Sequence, residues 1–289
     1  MASSTVSQSS STFPVPPADT RKHHVQTTLN YYKRPADGNE PPTIYPFKPA
    51  THDVSQYTES VEATIYDIAG EELNYNLDTH GFKFHYHETK VKNFSDLDTI
   101  KREYFPEVEQ MLKELTGAKY VHIFNPIVRT TQTDPSKPSQ GPLPLVHIDQ
   151  TPEDSVAGAK FDLGPLADEL LKGRFQVVHV WRPLKPHYKD PLAVADAHSV
   201  AEEDLIHTKV VFPEREGSIF NIAHNPSHRF YYRYGQTPNI VSLFKSYDSK
   251  TGIARRNPHT AFVNPETVDY PGRESVEVRT YVFYEPEQN

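Results

Sequence analysis

From about residue 120 onward the chain is written in short apolar runs, most followed within three residues by Pro, Asn or Asp. They fall at 121–128, 145–149, 174–181, 208–212, 218–222, 240–247 and 276–284. Such runs, rich in Val, Ile, Tyr and Phe and too short for helices of ordinary length, read as strands. One helix precedes most of them. Pro106 opens it in the first turn, Val108, Met111, Leu112 and Leu115 form its apolar stripe, and Gly117 stops it. A second, shorter helix is expected at Pro165–Leu171, closed by Gly173. The regular helix–strand alternation of a parallel α/β sheet is absent. The class is therefore mainly β (α+β), a β-sandwich or jelly roll with helical additions. The 26 Pro, 17 Tyr and 15 Phe fit a loop-rich β chain better than a helical bundle.

Composition then removes several functions. A net charge of −8 with no basic block argues against nucleic acid. No apolar run reaches membrane-spanning length. The chain has no Cys, so thiolate nucleophiles, disulfides and Cys-ligated metals are excluded, and any metal must be held by His and carboxylates. Residues 1–20 are rich in Ser and Pro, lack the apolar core of a signal peptide and read as a disordered tail. Residues 21–289 are expected to form a single domain, opening with a polar, Pro-punctuated arm over 21–60. A cytoplasmic enzyme is the default reading.

The run Leu145-Val146-His147-Ile148-Asp149 carries the chemistry. On a strand, positions 147 and 149 share a face, so an imidazole and a carboxylate converge. Composition alone predicts roughly two His-x-acid triplets in such a chain, so the triplet has weight only with partners. His259, in Asn257-Pro258-His259-Thr260-Ala261-Phe262, supplies a second imidazole. Two His and one carboxylate make the facial triad of non-haem Fe(II) oxygenases. Arg273-Glu274-Ser275 follows, opening the last strand. Arg273 and Ser275 share a face, and a guanidinium with a hydroxyl can grip the distal carboxylate of 2-oxoglutarate. Arg279 has the same parity and is the fallback anchor. The stretch His80-Gly81-Phe82-Lys83-Phe84-His85-Tyr86-His87 also carries three His, for which structural or substrate-facing roles are preferred.

Several blocks resemble a known family: VHIDQT (146–151), GRFQVVHVWRPL (173–184), DPLAVADAHSV (190–200), NPSHRFYY (225–232), LFKSYDS (243–249), PHTAF (258–262) and RESVEVRTYVFYEP (273–286). In this order they are similar to the fungal AsaB-type hydroxylase/desaturases. That family includes the fungal gibberellin desaturase and is related to oxygenases of cephamycin methoxylation and of meroterpenoid endoperoxide formation. The resemblance covers about residues 120–286. It implies a double-stranded β-helix (jelly roll, cupin-like) with flanking helices, Fe(II), 2-oxoglutarate and O2, and oxidation of a fungal secondary metabolite. Carried over by position, His147, Asp149 and His259 are the iron ligands and Arg273 the cosubstrate anchor. His179 departs from the family, which has Asn before Val-Trp-Arg-Pro.

The partner implied is a small molecule, with a bulky terpenoid, meroterpenoid or polyketide preferred. The aromatic segments 82–87 and 230–232, Trp181 and the 131–144 loop are the expected apolar walls and lid. Open alternatives are an amino-acid-derived substrate, a hydrolase or isomerase using Zn or Mn, and a non-enzymatic β-sandwich binding module. A homodimer is also left open.

Overall fold

A computed structural model describes residues 21–34, 38, 41–46, 57–129 and 141–286. The tail expected at 1–20, and residues 131–140 of the expected lid, lie outside the described residues. Thirteen strands run through the described chain. They are β1 (Val25–Tyr32), β2 (Thr58–Asp67), β3 (Phe82–Tyr86), β4 (Tyr120–Arg129), β5 (His147–Ile148), β6 (Phe175–Pro183), β7 (Leu192–Ala195), β8 (Leu205–Val211), β9 (Glu216–Ile222), β10 (Phe230–Tyr232), β11 (Ile240–Asp248), β12 (His259–Ala261) and β13 (Ser275–Phe283). They form an eight-stranded sheet, β1-β2-β10-β7-β12-β5-β9-β8, and a five-stranded sheet, β3-β11-β6-β13-β4. Every pairing between these strands is antiparallel except β2–β10. This is the expected mainly β jelly roll with flanking helices.

Both faces of the five-stranded sheet are covered, which is why β6, β11 and β13 read as nearly continuous apolar runs. On the outer face Val178, Val180, Val276, Val278 and Val282 pack against Val108, Met111 and Leu112 of the helix Phe105–Thr116. That helix ends as expected at Gly117, whose φ of 75° is left-handed and whose N–H reaches the Lys113 carbonyl. The alternate residues of β6 and β13 point inward. There Trp181 joins Phe82, Phe84, Phe244 and Val194, so this part of the core bridges the two sheets. Pro126 is tolerated inside β4 because β4 is an edge strand, with no neighbour on its far side to lose a hydrogen bond.

Two expectations need correction. Within the stretch expected as a surface arm, residues 25–32 form β1, which pairs in register with β2 at one end of the larger sheet, with Leu29 and Tyr31 buried. Their sequence looked polar because part of each strand faces solvent. A further helix, Pro152–Leu163, directly follows the His147–Asp149 segment. It lacks a strong apolar stripe; it packs instead through small residues, with Ala159 in the core beside Tyr281. Gly158 lies so close to Tyr281 that a Cβ would fall 2.5 Å from its hydroxyl.

Candidate active site

The eight-stranded sheet places His147 and His259 side by side. They are direct cross-strand partners on β5 and β12, with ring centroids 4.4 Å apart. Asp149 lies one residue beyond the short β5, in the turn that leads to Thr151, the N-cap of the helix Pro152–Leu163. The sequence expectation of one continuous strand through 149 was therefore too long, yet the convergence holds. Asp149 Oδ2 lies 3.3 Å from His259 Nε2, and Oδ1 lies 3.8 Å from His147 Nε2. All three candidate ligand atoms fall within 4.8 Å of one another.

The imidazoles are pre-oriented. His147 Nδ1 lies 2.7 Å from the Leu145 carbonyl, and His259 Nδ1 lies 3.2 Å from the Asn257 carbonyl. A carbonyl only accepts, so each Nδ1 carries the proton and each Nε2 keeps its lone pair for the shared space. Burial, and then the neighbouring His259, push the His147 imidazole down to about 4, so it is neutral at pH 7. Burial opposes ionisation of Asp149. The charge of Arg279 outweighs it and holds the carboxyl well below its usual range. Neutral imidazoles and an ionised carboxylate are the protonation states that bind a metal.

A cavity of about 70 Å³ opens beside the triad, lined among others by Arg129, Leu143, Trp181, Arg273, Glu277 and Arg279. The two candidate anchors differ sharply there. Arg279 is committed to protein carboxylates: Nη2 donates to Asp149 Oδ1 at 2.8 Å and Nε to Glu277 Oε1 at 3.2 Å. Arg273 donates through Nη1 to the Asp190 carbonyl at 3.1 Å and lies over the Trp181 ring at 5.6 Å. Its Nε, like Ser275 Oγ, is buried without a hydrogen-bond partner among the described residues. Burial, and then the charge of Arg129, push Arg273 down to about 10, still a cation at pH 7. A buried cation with an unmet donor is stabilised by an anion, so the residues present fit a carboxylate cosubstrate beside a metal.

Comparison with known proteins agrees. A family model described as "Oxidoreductase/YMDC permease-like domain" matches residues 29–283. The chain is 35% identical over 290 residues to the hydroxylase/desaturase efuI of Hormonema carpetanum, covering 91% of this chain and 96% of that one. The chain belongs to the AsaB-type hydroxylase/desaturase family. It is 31% identical over 227 residues to the Fe(II)/2-oxoglutarate-dependent dioxygenase nvfI of Aspergillus novofumigatus, covering 75% of this chain and 81% of that one. The solved structure of the iron and alpha-ketoglutarate-dependent endoperoxidase NvfI superposes with a TM-score of 0.80 at 26% identity, over 90% of this chain and 98% of that one. This hydroxylase/desaturase family member is thus an oxidoreductase of the Fe(II)- and 2-oxoglutarate-dependent class, with O2 as co-reactant.

Other sequence candidates in this oxygenase fall elsewhere. His179 does not line the cavity; it is a fully buried, satisfied core residue behind Asp149. His87 accepts Arg182 at 2.7 Å through Nδ1, a structural contact. Phe82, Phe84, Phe230 and Tyr232, expected as substrate walls, are buried in the core clusters. Trp181 and Leu143 do line the cavity. Glu277 was not singled out from the sequence. Its signal was parity alone, since it shares the inner face of β13 with Ser275 and Arg279.

His187 packs against Trp181, with ring centroids 5.4 Å apart and the planes tilted by 60°. Burial, and then the charge of Arg273, push it down to about 3 from its usual 6.5. Between those values the unfolded chain binds a proton that the folded protein does not. Stability is therefore expected to fall as pH drops from about 6.5 toward 3. His187→Phe should make that fall shallower in urea midpoints measured across the range. An unchanged slope would remove His187 as a source of acid sensitivity.

Proposed function

We propose that His147, Asp149 and His259 hold the Fe(II), and that Arg273 with Ser275 holds the distal carboxylate of 2-oxoglutarate. Arg279 is then a partner of Asp149 rather than the anchor. The observation that carries this reading is the convergence of three ligand atoms beside a buried guanidinium with an unmet donor. Fe(II), 2-oxoglutarate and O2 supply the oxidising chemistry when bound. The protein's own part is orientation. The Leu145 and Asn257 carbonyls fix the imidazoles, Arg279 fixes one oxygen of Asp149, and Trp181 shields the Arg273 guanidinium from water. Residues 21–289 act as one catalytic domain in this reading.

The substrate we propose is a bulky, largely uncharged fungal terpenoid, meroterpenoid or polyketide. Leu143, Leu192 and Ala261 contribute apolar surface at the cavity, and Leu143 is 48% exposed. A free amino acid needs further charged clamps. Arg279 is committed to carboxylates, and Arg182 is buried against Tyr104, His87 and Pro238. Arg129 does line the cavity, which favours an amino-acid-derived metabolite as the second reading. Calorimetric titration of the anaerobic, Fe(II)- and 2-oxoglutarate-loaded protein separates the two. Neutral polycyclic compounds are expected to bind and, on admitting air, to gain an oxygen atom or lose two hydrogens by mass spectrometry. Tight binding of simple amino acids, lost in Arg129→Ala, would overturn the preferred class.

A further inference from the structure

Glu277 sits at the centre of a buried chain of hydrogen bonds behind the triad. Its Oε1 accepts from His179 Nδ1 at 2.9 Å and from Arg279 Nε at 3.2 Å. His179 Nε2 lies 2.8 Å from the Ser246 hydroxyl, and Arg279 Nη2 donates to Asp149 Oδ1 at 2.8 Å. Ser246, His179 and the Glu277–Arg279 pair come from the adjacent strands β11, β6 and β13. Directions in this chain are fixed. A carboxylate accepts and a guanidinium donates, so His179 Nδ1 carries the proton and Nε2 accepts from Ser246.

The charges are fixed as well. Burial lowers His179 more than its carboxylate neighbours raise it, so the ring is neutral at pH 7. Burial pushes the Glu277 carboxyl up, but the His179 hydrogen bond and the Arg279 charge outweigh it and hold the carboxyl below its usual range. Glu277 is therefore an anion facing a cation, Arg279, whose own burial penalty is outweighed by Asp149 and Glu277. Asp149 and Glu277 are the only carboxylates among the described residues lining a cavity that also holds Arg129, Arg273 and Arg279.

A guanidinium facing a lone carboxylate tends to take both oxygens in a parallel fork. That arrangement at Asp149 would compete with a metal ion. Here Nε of Arg279 is turned to Glu277 and Nη2 reaches Oδ1 of Asp149, while Asp149 Oδ2 points to His259 Nε2 at 3.3 Å. We infer that Glu277 is a positioning residue for the metal: it holds Arg279 to one oxygen of Asp149 and supplies negative charge that favours a divalent cation. The inference rests on His147, Asp149 and His259 being the ligand set. His179, itself held by Ser246, keeps Glu277 in place.

Glu277→Gln keeps the shape and an acceptor oxygen and removes the charge. Two consequences share a sign for the cation: less negative charge, and an Arg279 free to take both oxygens of Asp149. Both favour, or leave unharmed, the binding of a dianion. Titration with redox-inert Mn(II) is expected to give a Kd raised about 10- to 100-fold, the usual cost of losing an outer partner of a metal ligand. The Mn(II)-saturated variant should bind 2-oxoglutarate at least as tightly as wild type. Glu277→Asp, which retains the charge, should bind Mn(II) more tightly than Glu277→Gln. Unchanged Mn(II) affinity in Glu277→Gln would overturn the inference. So would parallel weakening of both ligands, the mark of a structural defect, or a loss of Mn(II) as complete as in His147→Ala, the mark of a direct ligand. Mn(II) affinity retained in His147→Ala would instead overturn the ligand set itself.

Discussion

His259→Ala is expected to abolish iron binding and turnover while leaving the folded protein intact. His259 supplies one of the three convergent ligand atoms, and its ring is fixed by the Asn257 carbonyl. Two remaining ligands leave the cation less desolvation-compensating contact than water offers. The ring abuts a cavity, so truncation removes little core packing. The same outcome is expected for His147→Ala. Asp149→Ala removes the sole anionic ligand and also leaves Arg279 with one buried charge partner in place of two, so a loss of thermal stability should accompany it. Iron content by metal analysis, together with the thermal midpoint of the metal-free protein, separates the two effects. Full turnover by His259→Ala would refute the assignment.

Arg273→Ala is expected to raise the KM for 2-oxoglutarate by roughly 30- to several hundred-fold, with Mn(II) affinity little changed. A desolvated, charge-assisted contact to a carboxylate contributes about 2–4 kcal/mol, and about 1.4 kcal/mol is a factor of ten. Arg273 is suited to this because its Nε has no hydrogen-bond partner among the described residues, whereas both Nε and Nη2 of Arg279 are occupied. Initial rates at varied 2-oxoglutarate check the prediction. Were Arg279→Ala to raise that KM with metal affinity intact, and Arg273→Ala to leave it unchanged, the anchor would be misplaced.

The parts legible in the sequence are those where burial is two-sided or chemistry is paired. β6, β11 and β13 are covered on both faces and announce themselves as apolar runs. Period-two alternation, read from two residues ahead of β13 into the strand, puts Arg273, Ser275 and Arg279 on one face before their neighbours are known. It could not say which arginine would find protein partners, because that depends on Asp149, contributed by another part of the fold. β1, the edge strand, and β2 beside it were missed because each carries polar residues on its exposed side, and helix Pro152–Leu163 because Gly158 and Ala159 pack by smallness. Glu277 was invisible for a different reason. A lone acid in a strand reads as a solvent-facing residue, and only the neighbouring strands reveal the His179 and Arg279 that keep it buried and charged. The aromatic segments misled in the opposite direction: Phe82, Phe84 and Phe230 fill the core, where most large aromatics in such sheets belong.

Anaerobic titration of the protein with Fe(II) and 2-oxoglutarate, followed by visible absorption, tests the central claim most directly. A weak charge-transfer band requires the metal and the cosubstrate to be bound together at one site. Wild-type protein is predicted to develop this band at one Fe(II) per chain, His259→Ala to show none, and Arg273→Ala to show it only at much higher 2-oxoglutarate. No band in the wild type, or the same band in His259→Ala, would contradict the account.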